Sequence, residues 1–138
     1  MGDLRKNFSK FEMICKHCGS YKEMDDDLLD GLQMLSDNTQ RKITINSAYR
    51  CKFHPIEAKK DEPGEHEKGT ASDIVIEGLT PKQTLSEVLK IPQFKNGGIG
   101  IYPGKRLIHV DTKPGGPRRW SYIKGVQRSF EDGLKLLK

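Results

Sequence analysis

The sequence predicts an α+β fold: a single small domain with a mostly antiparallel sheet and flanking helices. Three observations carry this reading. Stretches with strand-like alternation and stretches with helical spacing follow one another as helix, strand, long polar loop, strand, helix and then a run of short strands. No repeat, linker or shift in composition divides the chain. Its 138 residues allow one modest core, so residues 1–138 are read as one unit.

The elements follow in order. Asp25-Asp26-Asp27 precede Leu28, Leu29, Leu32 and Leu35, which share one helical face, and acidic residues suit a helix N-terminus. Lys42 to Ser47 alternates as a strand does, and the polar stretch from Cys51 to Gly69, with Pro55, Pro63 and Gly64, predicts a long loop. Ala71 to Ile76 is a second strand. Thr80-Pro81-Lys82-Gln83 starts a helix, with a capping hydroxyl, proline in the first turn and a glutamine to reach back, while Leu85, Val88 and Leu89 form its buried face. Gly98 to Tyr102 and Arg106 to Thr112 read as strands joined at Pro103-Gly104, and Arg119 to Ile123 adds another. Ser129 to Asp132 caps a last helix with Phe130, Leu134 and Leu137 as its apolar face.

Composition narrows the class. Hydrophobic residues make up 34% and charged residues 31%, but the apolar ones are spread along the whole chain, which favours a wet-surfaced compact domain over disorder. No apolar run approaches the roughly 18 residues of a membrane-spanning helix, so no membrane insertion is expected. Met1-Gly2-Asp3-Leu4-Arg5 lacks the apolar core of a secretory signal. With three cysteines, an odd number, this predicts synthesis in a reducing cytoplasm. A net charge of +5 suits polyanions, from nucleic acid to anionic wall polymers, and equally a solvated lysine-rich face. No helix gathers Arg and Lys on one side, so nucleic acid is not the expected partner; a monomer is.

Two groups of residues have metal chemistry. His66, Asp73 and His109 offer the three imidazole or carboxylate ligands of a catalytic zinc site, with a fourth position open for water. Asp73 falls just inside a strand and His109 in the middle of another, so neighbouring strands could converge them, although spacing alone fits chance as well. Cys15-Lys16-His17-Cys18 and Cys51-Lys52-Phe53-His54 have the count and gaps of a closed structural zinc site made by Cys15, Cys18, Cys51 and His54. His17 in place of His54, a Cys15–Cys51 or Cys18–Cys51 disulfide, and three free thiols are the alternatives.

Four blocks in order carry a resemblance. Ser47-Ala48-Tyr49-Arg50-Cys51, then His66-x-x-Gly69-x-Ala71-x-Asp73, then Gly98-Ile99-Gly100-x-Tyr102, then His109-Val110-Asp111 resemble the zinc D-alanyl-D-alanine carboxypeptidases, from about Phe8 to Trp120. That group of cell-wall peptidases includes the D-Ala-D-Ala dipeptidases of vancomycin resistance and several phage endolysins. The resemblance implies a central zinc held by His66, Asp73 and His109, with Arg50 reaching into the site to bind a substrate carboxylate or carbonyl through its planar fork. It implies hydrolysis of peptidoglycan stem peptides, of D-Ala-D-Ala carboxypeptidase or endopeptidase type, and hence action on the cell wall after delivery such as phage-type release.

Two departures stand out. Better-known members carry an acidic proton acceptor three residues before the last histidine, where this chain has Arg106, and often a serine where it has Gly64. Asp111, on the side of the strand that holds His109, is the substitute proton acceptor or else the group that orients His109. Glu65 and Glu67 are further options. Tyr102, Trp120 and Tyr122 are read as walls of a cleft or as partly buried core.

Overall fold

Asp25 begins the longest helix by accepting a hydrogen bond from the Leu28 N–H at 3.2 Å, and Asp26 and Asp27 occupy the dipole-favoured first turn. A computed structural model describes residues 2–138. Its elements are α1 (Lys10–Met13), α2 (Asp26–Thr39), β1 (Ile43–Ser47), a 3₁₀ turn (Glu57–Lys59), α3 (Glu65–Lys68), β2 (Ala71–Ile76), α4 (Pro81–Val88), α5 (Pro92–Lys95), β3 (Gly98–Ile101), β4 (Ile108–Asp111), β5 (Arg118–Ile123), β6 (Val126–Arg128) and α6 (Phe130–Leu136). Thr80 and Gln83 form the expected reciprocal cap of α4, at 3.1 and 2.9 Å.

The six strands form one sheet in the order β1-β2-β4-β3-β5-β6, antiparallel except where β3 runs parallel to β5. Alternation gives this sheet two different faces. Ile74 and Ile76 of β2, Ile108 and Val110 of β4, and Ile99 and Ile101 of β3 point into the core, where Leu28, Leu32 and Leu35 of α2, Leu85 and Val88 of α4, and Phe94 of α5 cover them. The intervening residues, Asp73, His109, Asp111, Gly98 and Gly100, belong to the opposite face. Asp73 pairs with His109 across the β2–β4 ladder, so both side chains rise side by side.

A bulge in β1 adjusts the edge of that face. Ile45 opposes Ile74, but Ser47 then opposes Asp73, so one extra residue is inserted between them. Bulges commonly re-aim side chains in this way. Here the Ser47 hydroxyl accepts from Arg50 Nε at 3.2 Å, at the edge of that face.

Three expectations are corrected. The Cys51–Gly69 stretch contains a 3₁₀ turn and α3, which places His66 in a helical turn instead of at a loop end. Gly69, at φ +80°, closes that turn in the left-handed region. At α6, Phe130 and Leu137 pack against the core as expected, but Leu134 is 39% exposed, and Gly133 closes on the sheet, where an added Cβ would lie 2.4 Å from Ser121 Cβ. The strand expected over Arg106 to Thr112 is shorter, because Arg106 turns outward to pair with Glu77 at 3.2 Å.

Gly100 is where the fold and the site meet. It lies between His109 on β4 and Trp120 on β5, and a Cβ there would stand 2.6 Å from the indole ring. Gly100→Ala is expected to displace Trp120 at a cost of about 1–3 kcal/mol. Trp120 is the chain's single tryptophan, so a shifted emission spectrum with a lower urea midpoint checks the expectation.

Candidate metal centre and cleft

The ligand atoms of His66, Asp73 and His109 all lie within 4.8 Å of one another, and all three residues are buried. Asp73 Oδ1 sits at the centre, 3.5 Å from His66 Nε2 and 3.1 Å from His109 Nδ1. The outward nitrogens are both committed. His66 Nδ1 donates to the Ala48 carbonyl at 2.7 Å, and His109 Nε2 meets Asp111 Oδ2 at 2.8 Å. Each imidazole thus has its proton anchored on the far side, which leaves the inward nitrogen's lone pair for a cation. Two such nitrogens and a carboxylate oxygen fit a tetrahedral divalent ion with an open position.

Electrostatics bind the three together. Burial opposes ionisation of Asp73, but hydrogen bonds from His109 and His66 outweigh it and hold the carboxyl below the usual carboxylate range. His109 shows the converse. Burial disfavours its charged form, but Asp111 and Asp73 on its two sides raise its pKa above the ordinary 6.5.

Asp111 stands behind His109. Wholly buried, it accepts from Gly98 N at 3.0 Å and Lys113 N at 3.1 Å, and Arg118 Nη2 reaches its two oxygens at 2.6 and 2.7 Å. Gly98 makes room for this pair, since a Cβ there would fall 2.3 Å from Asp111 Oδ2 and 2.5 Å from Arg118 Nη2. Of the two roles weighed for Asp111, its geometry matches orienting His109; the carboxylate does not line the open cleft, as a proton acceptor for substrate would. Arg106 is also away from the centre.

Arg50 reaches the site as expected. Its Nη2 lies 3.2 Å from Asp73 Oδ2, and its Nη1 lies 3.4 Å from Oε2 of Glu57, which Lys60 also contacts at 3.1 Å. Glu57 is buried and supports the guanidinium from behind. The sequence carried no signal for this role, because Glu57 lies in a stretch read as loop; Arg118 was likewise hidden among charges at a strand start. Glu65 instead accepts from the Thr70 hydroxyl at 2.8 Å, and neither it nor Glu67 borders the cleft.

The centre opens into a cleft of about 800 Å³. Tyr102, Trp120 and Tyr122 do wall it: the tyrosine rings stack 5.6 Å apart, and Trp120 lies 5.0 Å from the His109 ring. Burial and the Asp73 charge push the Tyr102 phenol up to about 12, so it stays a hydroxyl at neutral pH. Asp73 is the one carboxylate on the lining, against Arg50, Lys60, Lys105, Arg118 and Arg119.

The profile of the peptidase M15 family matches residues 6–111, a span that contains all three candidate ligands, Arg50 and Asp111. The chain belongs to the peptidase M15 family. M15 peptidases are metal-dependent, in keeping with the centre described above. Similar curated proteins include the peptidoglycan L,D-endopeptidase MepK of Escherichia coli K12 and the proteins of that name from Escherichia coli O157:H7 and Shigella flexneri. Each is 32% identical over 107 residues, covering 72% of this chain and 56% of its own length. The chain therefore spans a little over half the length of these relatives. No solved structure matches.

Two outcomes test the centre. Asp111→Asn is expected to weaken metal binding about 10–100-fold by loosening His109, as read in a chelator competition. Metal affinity is also expected to fall with decreasing pH. An entering cation must displace the proton that a raised pKa keeps on His109, so the loss starts above pH 6.5, the ordinary imidazole value. Calorimetric titrations across this range check the sign.

Proposed function

We propose that this chain is a zinc-dependent peptidase that hydrolyses peptide bonds within the stem peptides of bacterial peptidoglycan, acting as an endopeptidase rather than trimming a terminal D-Ala. The observation that carries this reading is the buried His66–Asp73–His109 cluster at the floor of a cationic cleft, in a chain of the M15 family. The MepK relatives, named as peptidoglycan L,D-endopeptidases, support the substrate and the internal bond.

Zinc suits two imidazoles and a carboxylate, and when bound it would supply the Lewis acidity that polarises a carbonyl and lowers the pKa of water toward 7. The protein's own groups bind and orient the substrate around it. Arg50, braced by Glu57, presents its fork to a substrate carboxylate or to the oxygen that gains charge as the carbonyl is attacked. Tyr102 offers a hydroxyl donor from the opposite wall, and Lys105 adds charge complementary to the free carboxylates of a stem peptide. Asp111 and Arg118 keep His109 in the orientation that points Nδ1 inward. We assign Asp111 and Arg118 as positioning residues and Arg50 as the residue that touches the reacting group.

Digestion of purified peptidoglycan, followed by chromatography and mass spectrometry of the fragments, tests the function. Zinc-loaded protein is expected to convert cross-linked fragments to uncross-linked ones, with loss of activity on chelation and in His66→Ala. Arg50→Ala should reduce kcat/KM about 10–100-fold, the size of a charge-assisted hydrogen bond. Release of terminal D-Ala alone would overturn the endopeptidase assignment, and release that survives His66→Ala with His109→Ala would remove the peptidase reading.

A further inference from the structure

Outside the cleft, the most reactive group of side chains lies where the N-terminal segment meets the end of β1. The sulfur atoms of Cys15, Cys18 and Cys51 all lie within 4.8 Å of one another. Thiolates sharing a tetrahedral zinc at ~2.3 Å stand roughly 3.8 Å apart, so the three need only small adjustments to bind one ion. All three are free cysteines.

Local backbone structure explains the convergence. Cys15 N donates to the Ser20 carbonyl at 2.8 Å and Gly19 N to the Cys15 carbonyl at 2.7 Å, so residues 15–20 form a closed turn. Gly19, at φ +75°, adopts the left-handed conformation that lets the chain reverse after Cys18. Cys51 is delivered from the other side, and its backbone N–H donates to Cys15 Sγ at 3.4 Å. Cys51 to His54 is a second turn, with His54 N donating to the Cys51 carbonyl at 3.0 Å. His54 Nδ1 accepts from Ile56 N at 3.2 Å, which puts the proton of a neutral ring on Nε2, so ligation by His54 requires that contact to break. The His54 ring packs edge-on against His17, 5.9 Å between centroids, and neither imidazole belongs to the group of thiols within 4.8 Å. Of the two, His17 is exposed and His54 half-buried.

We infer that Cys15, Cys18 and Cys51 hold a structural zinc-class ion separate from the cleft, with one imidazole of the His17–His54 pair turning in as fourth ligand. Its work is mechanical. Before α2 the chain has one helix, of four residues, so the N-terminal segment has little regular structure to fix it. An ion joining residues 15–18 to residues 51–54 clamps that segment to the stretch just after Arg50. The same stretch is held by hydrogen bonds from Tyr49 N to the Met13 carbonyl and from Arg50 N to the His66 carbonyl, both at 3.2 Å. The clamp thus sets the base from which Arg50 extends. A domain this small gains in proportion from such a crosslink. The inference does not rest on the peptidase reading, because it concerns a thiolate site that hydrolysis leaves untouched.

Cobalt(II) distinguishes the two centres, since sulfur-to-cobalt charge-transfer absorption in the near ultraviolet arises only from thiolates. Reduced full-length protein titrated with Co²⁺ is expected to develop this absorption, and to bind two ions per chain by elemental analysis. His66→Ala combined with His109→Ala should retain the absorption and bind one ion. Cys18→Ser, at an exposed position that spares the core, should weaken Co²⁺ binding at the thiolates at least tenfold. Either His54→Ala or His17→Ala should lower that affinity, and unchanged affinity in both would overturn the imidazole as fourth ligand. Absence of charge-transfer absorption at saturating Co²⁺ would overturn the site. So would denaturing, non-reducing mass spectrometry that finds a disulfide in freshly isolated protein.

Discussion

The row Asp73–His109–Asp111 is the contact on which the rest of the site depends. Two adjacent antiparallel strands place an imidazole between two buried carboxylates, with contacts of 3.1 and 2.8 Å. Burying two negative charges beside each other is costly unless they are neutralised. Arg118 supports Asp111 from one end, and Arg50 with His66 supports Asp73 from the other. The neutralising groups come from β5, from the chain beyond β1 and from α3, so the charge balance of the centre requires nearly the whole sheet to be correctly assembled.

The sheet's two faces divide the work. Isoleucine and valine side chains on one face lock β2, β4 and β3 against the helices, which fixes strand register. A one-residue slip would carry Asp73 and His109 into the apolar core and bring isoleucines out into the cleft. The hydrophobic face therefore specifies the metal-binding face indirectly. Glycines at 98 and 100 complete the arrangement by leaving space for the Asp111–Arg118 pair and for Trp120. The Gly-x-Gly pattern of β3 is thus a packing requirement imposed by neighbouring side chains.

Charge distinguishes the cleft. Among the described residues, five cationic side chains stand against one carboxylate on its lining, a surface that favours anionic ligands. Several of these cations are already partnered, Arg50 with Asp73 and Arg118 with Asp111, while Lys105 lies over the Tyr102 ring at 5.8 Å.

Much of this was present in the residue order. Helix starts at Asp25 and Thr80, the alternating strands, the ligand set His66, Asp73 and His109 and the reach of Arg50 all follow from local pattern or from matching motif blocks, because caps and alternation act over a few residues. What the linear chain left open was decided by contacts between distant segments. Asp111 has two candidate roles in the sequence, and Arg118 and the Gly98 amide enclose it behind His109; Glu57 reads as part of a polar loop but is buried under Arg50; and Arg106 occupies a motif position but is exposed, paired with Glu77. Residue type and spacing determine which groups are able to bind a metal. Burial and the partners that tertiary pairing brings to each group determine which nitrogen faces inward and which carboxylate is sealed from the cleft.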